Sequence, residues 1–182
     1  KRSYLHALST DLQKDTIEIK RIEVLRNVRE EKLKKLLELL NFQDYKNRAK
    51  EIYTLVKETD DYESFLRNDN TLQALRYTGQ FKLLDKETIQ NILKYDNFIV
   101  SEIDWNNKTE AERINFYKQN RFIFLDQNSL NKVYVNDTLF KPLFNDISFN
   151  EFNRFKGTLF QVYQISRTCR ESGNIAIKMA ND

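Results

Sequence analysis

Residues 3–40 read SYLHALSTDLQKDTIEIKRIEVLRNVREEKLKKLLELL, and two apolar rows run through them at heptad spacing. One row holds Leu5, Leu12, Ile19, Leu33 and Leu40, and the other holds Leu8, Ile22 and Leu36. The first glycine of the chain is Gly79 and its only proline is Pro142, so nothing up to Thr78 interrupts a helix for reasons of backbone geometry. As a single helix this stretch would span roughly 57 Å at 1.5 Å per residue. A compact domain of this size needs no element that long, so residues 1–40 are expected to form a stem-like helix. The fold class that follows is all-α, an elongated antiparallel helical bundle with long first and last helices.

The seam carries a flaw. Arg26 falls in the first row, and Asp15 and Arg29 fall in the second. Polar groups in a seam cost stability and can fix register or partner. A straight 3.6-residue helix also drifts against a heptad, and the expectation is that the buried face rotates onto Leu25 and Val28.

Beyond a turn at Asn41–Asp44, the spacing of Tyr45, Ala49, Ile52, Tyr53 and Val56 predicts a second helix over 43–57, folded back as an αα-hairpin. Tyr62 to Leu66 reads as a short helical turn. Short helices are expected over 71–103. One contains Leu72 and Leu75 and ends at Gly79, which suits a left-handed residue after a helix. Another is capped by Asp85 and runs through Ile89, Ile92 and Leu93 to about Ile103. Thr109 with Glu112 forms a capping-box pattern ahead of a helix over 110–119, and Ser148 with Glu151 forms another ahead of a C-terminal helix over 148–180. Phe152, Phe155, Leu159, Val162 and Cys169 lie on one side of that last helix. Gly173 is expected to interrupt or end it. Between 121 and 145, Phe122–Leu125 and Val133–Val135 allow a small β-hairpin near 122–135, and a loop with a short helix fits as well. No repeat or low-complexity linker divides the chain, so 1–182 reads as a single helical domain.

Composition supports a packed core. Of 182 residues, 13 are Phe and 9 are Tyr, enough large aromatic area to make disorder unexpected despite a mean hydropathy of −0.69. Net charge is +3, from 30 basic and 27 acidic residues, a balance that supplies little long-range field for nucleic acid or an anionic membrane. No run of 18 apolar residues occurs, and Lys1–Asp15 lacks the apolar core of a secretory signal. The start at Lys1 rather than methionine leads to the expectation that an upstream segment has been removed.

Catalytic patterns are sparse. The single histidine, His6, sits beside the apolar seam, so any nucleophile–histidine pair must be built around it. Cys169 has Arg167 and Arg170 nearby, and positive neighbours lower a thiol pKa, but a small apolar side chain in a helix interface is the favoured reading. Glu58, Asp60, Asp61 and Glu63 crowd one turn without the alternating spacing and glycine of a calcium loop, and read as a solvated turn. The glycines at 79, 157 and 173 are too far apart to cradle a phosphate, which excludes P-loop and dinucleotide fingerprints. Lys32–Lys35 and the basic-aromatic stretch Phe149–Lys156 read as amphipathic helix faces rather than a nucleic-acid surface. Asn107-Lys108-Thr109 and Asn136-Asp137-Thr138 match the glycosylation triplet without a context that would use it. No catalytic, cofactor-binding or metal-binding residue is assigned.

Tyr4-Leu5-His6-Ala7-Leu8-Ser9-Thr10-Asp11-Leu12-Gln13-Lys14-Asp15 resembles the segment that follows the membrane span in a family of Bacteroidota single-span membrane proteins. Leu72–Gly79 and Leu83–Tyr95 are similar to a short helix, glycine and capped helix of the same family, with Thr78 where the family has serine. The resemblance covers about a fifth of the chain and brings no catalytic residues. It implies an N-terminal anchor upstream of Lys1 and a soluble, periplasmic domain. The functional expectation is a non-enzymatic extracytoplasmic domain in interaction or sensing, with a protein partner or self-association and no nucleic acid. The alternative is a cytosolic helical scaffold pairing through a coiled-coil-like seam, and an enzyme stands behind both.

Overall fold

The computed structural model describes residues 2–132 and 143–181, and among them the chain is all-α. Helix α1 spans Arg2–Leu39, α2 Ala49–Glu58 after a 3-10 turn at Tyr45–Arg48, and α3 Asn70–Tyr77. After a second 3-10 turn at Gln80–Leu83 come α4 (Lys86–Phe98), a π-helical segment (Ile99–Asp104) and α5 (Trp105–Phe124), which follow one another without a break. A short α6 (Gln127–Asn131) and the long α7 (Phe149–Asn181) complete the order.

Contacts gather into two compact units. The first comprises Lys1–Leu25, Glu63–Asn107 and Cys169–Asp182, and the second Arg26–Tyr62 and Lys108–Thr168. In the first unit Ile19 and Ile22 of α1 pack with Phe65, Ile99, Ile103 and Ala176, while Leu8 packs with Leu72, Leu75 and Leu84. In the second, Leu33, Leu36 and Leu40 meet Ile52, Tyr53 and Val56 of α2, Ile114 and Tyr117 of α5, and Leu159 and Val162 of α7. One end of that core is aromatic: Phe124 lies 4.8 Å from Phe144, 5.2 Å from Phe152 and 4.9 Å from Phe155 between ring centroids.

Several local signals act as their chemistry requires. Asp85 accepts a hydrogen bond from the Thr88 amide at 2.9 Å, capping α4. Ser148 and Glu151 form a reciprocal box: the Ser148 amide donates to Glu151 at 2.8 Å and the Glu151 amide to Ser148 Oγ at 3.3 Å. Gly79, at φ 65°, takes the left-handed conformation after α3.

Other expectations need correction. The buried face of α1 does not rotate: Leu25 and Val28 are each 44% exposed, whereas Arg26 is 4% and Arg29 7% exposed. The heptad rows therefore continue through their polar members, which find partners inside the fold. Thr109 lies within a continuous helical run, so there is no open first turn for a capping box there. Gly173 does not interrupt α7. A Cβ at that position would come within 2.8 Å of Cδ at the flexible end of Glu23 and 3.2 Å of Ile19 Cγ2, so side chains of α1 occupy the space beside the glycine. Tyr62–Leu66 lies in a loop outside any helix rather than in a helical turn. Phe122–Phe124 belongs to α5, and a lone antiparallel bridge between Leu125 and Phe144 stands where the first strand of a hairpin was expected. Its second strand, Val133–Val135, lies outside the described residues.

Candidate functional site

The polar members of the α1 seam create two centres of different kind. In the second unit Glu110 is fully buried and takes both Arg26, at 2.8 Å, and Arg29, whose guanidinium meets its other oxygen. Ser166 Oγ donates to the same carboxylate at 3.2 Å, and Arg29 also donates to the Asp61 carbonyl at 2.7 Å. These charges hold one another at the heart of a packed core. Their chemistry is cross-linking of helices.

The first unit is built differently. Asp15, 2% exposed, accepts at Oδ1 from the Asn68 amide at 2.7 Å and from Asn68 Nδ2 at 2.9 Å. Its Oδ2 accepts from the Tyr95 hydroxyl at 3.1 Å. All of these donors are neutral. Burial pushes the Asp15 carboxyl above its ordinary value against the pull of those hydrogen bonds, and the charge of Asp11 one helical turn earlier pushes the same way. Burial, and then the Asp15 charge, likewise raise the Tyr95 phenol well above its usual range.

Beside this pair lies a cavity of about 240 Å³. Leu8, Leu12, Leu72 and Ile92 give it apolar walls, and Asp11 and Asp15 give it an acidic one. Arg67 also reaches the cavity, but its guanidinium is committed: it pairs with Asp96 at 2.5 Å and Asp69 at 3.1 Å. Asp96 is held from its other side by Arg76 at 2.6 Å. Asp11 spends Oδ2 on the Thr71 amide at 3.2 Å. Asp11 and Asp15 have no ion-pair partner among the described residues. The arrangement combines shape, apolar surface and two positioned carboxylates, the ingredients of a small binding site.

The residues weighed on sequence grounds lie elsewhere or are occupied. His6 is exposed on α1 and its carbonyl accepts from Thr10 Oγ1 at 2.9 Å. Cys169 is buried. The acidic turn does not converge on a point: Asp60 pairs with Arg121, Glu58 with Lys32 at 3.1 Å, and Glu63 with Arg21. No group of His, Cys, Asp and Glu able to hold a metal ion occurs among the described residues, nor does a helix long and apolar enough to cross a membrane. Lys32 and Lys35 are paired with Glu58 and Glu51, and Phe152 and Phe155 pack in or against the core. Asn107 of the first triplet is buried, with Nδ2 donating to the Phe65 carbonyl at 3.4 Å, and Asn136 of the second lies outside the described residues.

Asn68, Arg67 and Asp96 were not singled out in the sequence, and Tyr95 entered only as the end of the resembling stretch Leu83–Tyr95. The usable signal was Asp15 itself, a carboxylate at a seam position with a second carboxylate four residues earlier on the same face.

A scan against family models finds no match, and neither curated proteins nor solved structures match the chain.

Proposed function

We propose that this chain is a non-enzymatic binding domain with a sensing or interaction role, and that recognition takes place at the cavity of the first unit. The observation that carries the reading is the juxtaposition of an apolar-walled cavity of about 240 Å³ with two carboxylates that no cation among the described residues neutralises. The residues on which the family resemblance rests, Leu8, Asp11, Leu12 and Asp15 with Leu72 and Tyr95, are also among those that line it. A fragment screen on the ¹⁵N-labelled chain tests this reading. Ligands should move the amides of Leu8–Asp15 and Thr88–Tyr95 together. A screen that leaves both stretches unmoved, or turnover of a substrate by the purified chain, would overturn it.

The setting of the domain, outside the cytoplasm on a membrane-anchored protein, is proposed on the resemblance of Tyr4–Asp15 alone. Protease treatment of intact spheroplasts should degrade the domain, and protection there would refute this placement. The outer face of α1 favours a second reading, since Ile17, Val24 and Leu25 are exposed on it: two copies associate through that face. Sedimentation equilibrium over a hundredfold concentration range would show a monomer–dimer transition.

A further inference from the structure

We infer that the cavity of the first unit receives a small organic ammonium ion, its charged head at Asp11 and Asp15 and its short alkyl part against Leu8, Leu12, Leu72 and Ile92. The inference rests on the binding-domain reading above and adds the chemical class of the ligand.

The argument begins with charge. Asp11 and Asp15 stand one helical turn apart on the same face of α1, where like charges repel. Every hydrogen bond that Asp15 accepts comes from a neutral donor, the Asn68 amide and side chain and the Tyr95 hydroxyl. The nearby guanidinium of Arg67 is spent on Asp69 and Asp96, and Arg76 also serves Asp96. The wall at Asp11 and Asp15 is thus short of positive charge, and an anionic ligand would be repelled there.

Acceptor capacity points the same way. A carboxylate offers about four lone-pair directions. Asp15 uses three with its protein donors and Asp11 uses one, on the Thr71 amide. An ammonium group carries three N–H donors and can engage both residues at once.

Size and lining then separate an organic ion from a metal. A hard cation requires about six or more oxygen ligands, and among the described residues no group of His, Cys, Asp and Glu able to hold a metal ion occurs, whereas Leu8, Leu12, Leu72 and Ile92 line the cavity. Those side chains favour a hydrocarbon segment. The volume of about 240 Å³ lies below the roughly 300–1,000 Å³ of sites for drug-sized molecules, which limits the occupant to a short chain or a single ring.

The test uses three probes of matched shape, n-pentylamine, 1-pentanol and pentanoate, titrated at neutral pH into the full ¹⁵N-labelled chain. Pentylammonium should move the amides of Leu8–Asp15 and Thr88–Tyr95 with a dissociation constant at least tenfold below that of pentanol, and pentanoate should leave them in place. Asp11→Asn, whose fold is checked by circular dichroism, should cut the amine affinity about tenfold and leave the pentanol affinity unchanged. Equal or tighter binding of pentanol overturns the ammonium inference and leaves the binding-domain reading intact. Failure of all three probes also overturns the inference, whereas the reading falls only if the fragment screen is silent at the same amides. An amine affinity that Asp11→Asn does not change refutes the placement of the charged head.

Discussion

Asp15 and Arg26 occupy the same kind of position in α1, polar members of a heptad seam eleven residues apart, yet the fold treats them in opposite ways. Arg26 and its neighbour Arg29 meet a buried carboxylate of opposite charge, and their helices close around the pair. Asp15 receives neutral donors only and borders a cavity. A buried charge that is cancelled by another charge makes a clamp. One that is only solvated by amides and a phenol retains an unspent attraction for a cation. Polarity in a helix seam is therefore ambiguous until its partners are known.

The comparison breaks most sharply at Glu110. Glu110→Gln removes the buried carboxylate that Arg26 and Arg29 share, and the expected loss is about 3–5 kcal/mol of unfolding free energy, read from a urea titration. A loss below about 1 kcal/mol would show that water reaches the clamp. At the other centre Tyr95→Phe removes one neutral donor to Asp15. It should cost about 1 kcal/mol and raise the Asp15 pKa further, visible in a ¹³C carboxyl titration.

The smallest expected effect has the opposite sign. The Asp15 carboxyl titrates above its unfolded value of 3.8, so the native state binds this proton more tightly than the unfolded chain does. Ionisation then costs native stability. That cost is absent below pH 3.8, builds as pH rises through the folded pKa, and is complete above it. Asp15→Asn should accordingly stabilise the protein at neutral pH, with a gain that fades on acidification to pH 3.8, as midpoints of thermal unfolding across that range would show. The groups facing this carboxyl are Asp11 on its own helix, Asn68 in the loop before α3 and Tyr95 on α4.

Local chemistry made the caps and helix lengths readable. Asp85, the Ser148–Glu151 pair and Gly79 act through atoms within a few residues of themselves, and the long helical start follows from periodicity and the lack of glycine and proline. The centres were hidden because their partners are remote. Glu110 lies 84 residues from Arg26, and Asn68 lies 53 from Asp15, so a spacing rule exposes the polar seam member without naming what meets it. Gly173 misleads for the same reason: α7 continues through it, and what surrounds it are Ile19 and Glu23, far away in the chain. Rotation onto Leu25 and Val28 would have taken Arg26 and Arg29 off the buried face. The fold instead buries Arg26 and Arg29 against Glu110, a choice that only the assembled structure reveals.

The interleaving of segments has a consequence during synthesis. The first unit draws on the beginning, the middle and the last residues of α7, and Ala176 completes one of its apolar clusters. Met179 and Ala180 border the cavity. A nascent chain that has not yet released these residues from the exit tunnel lacks part of the lining, so the cavity closes only after they emerge.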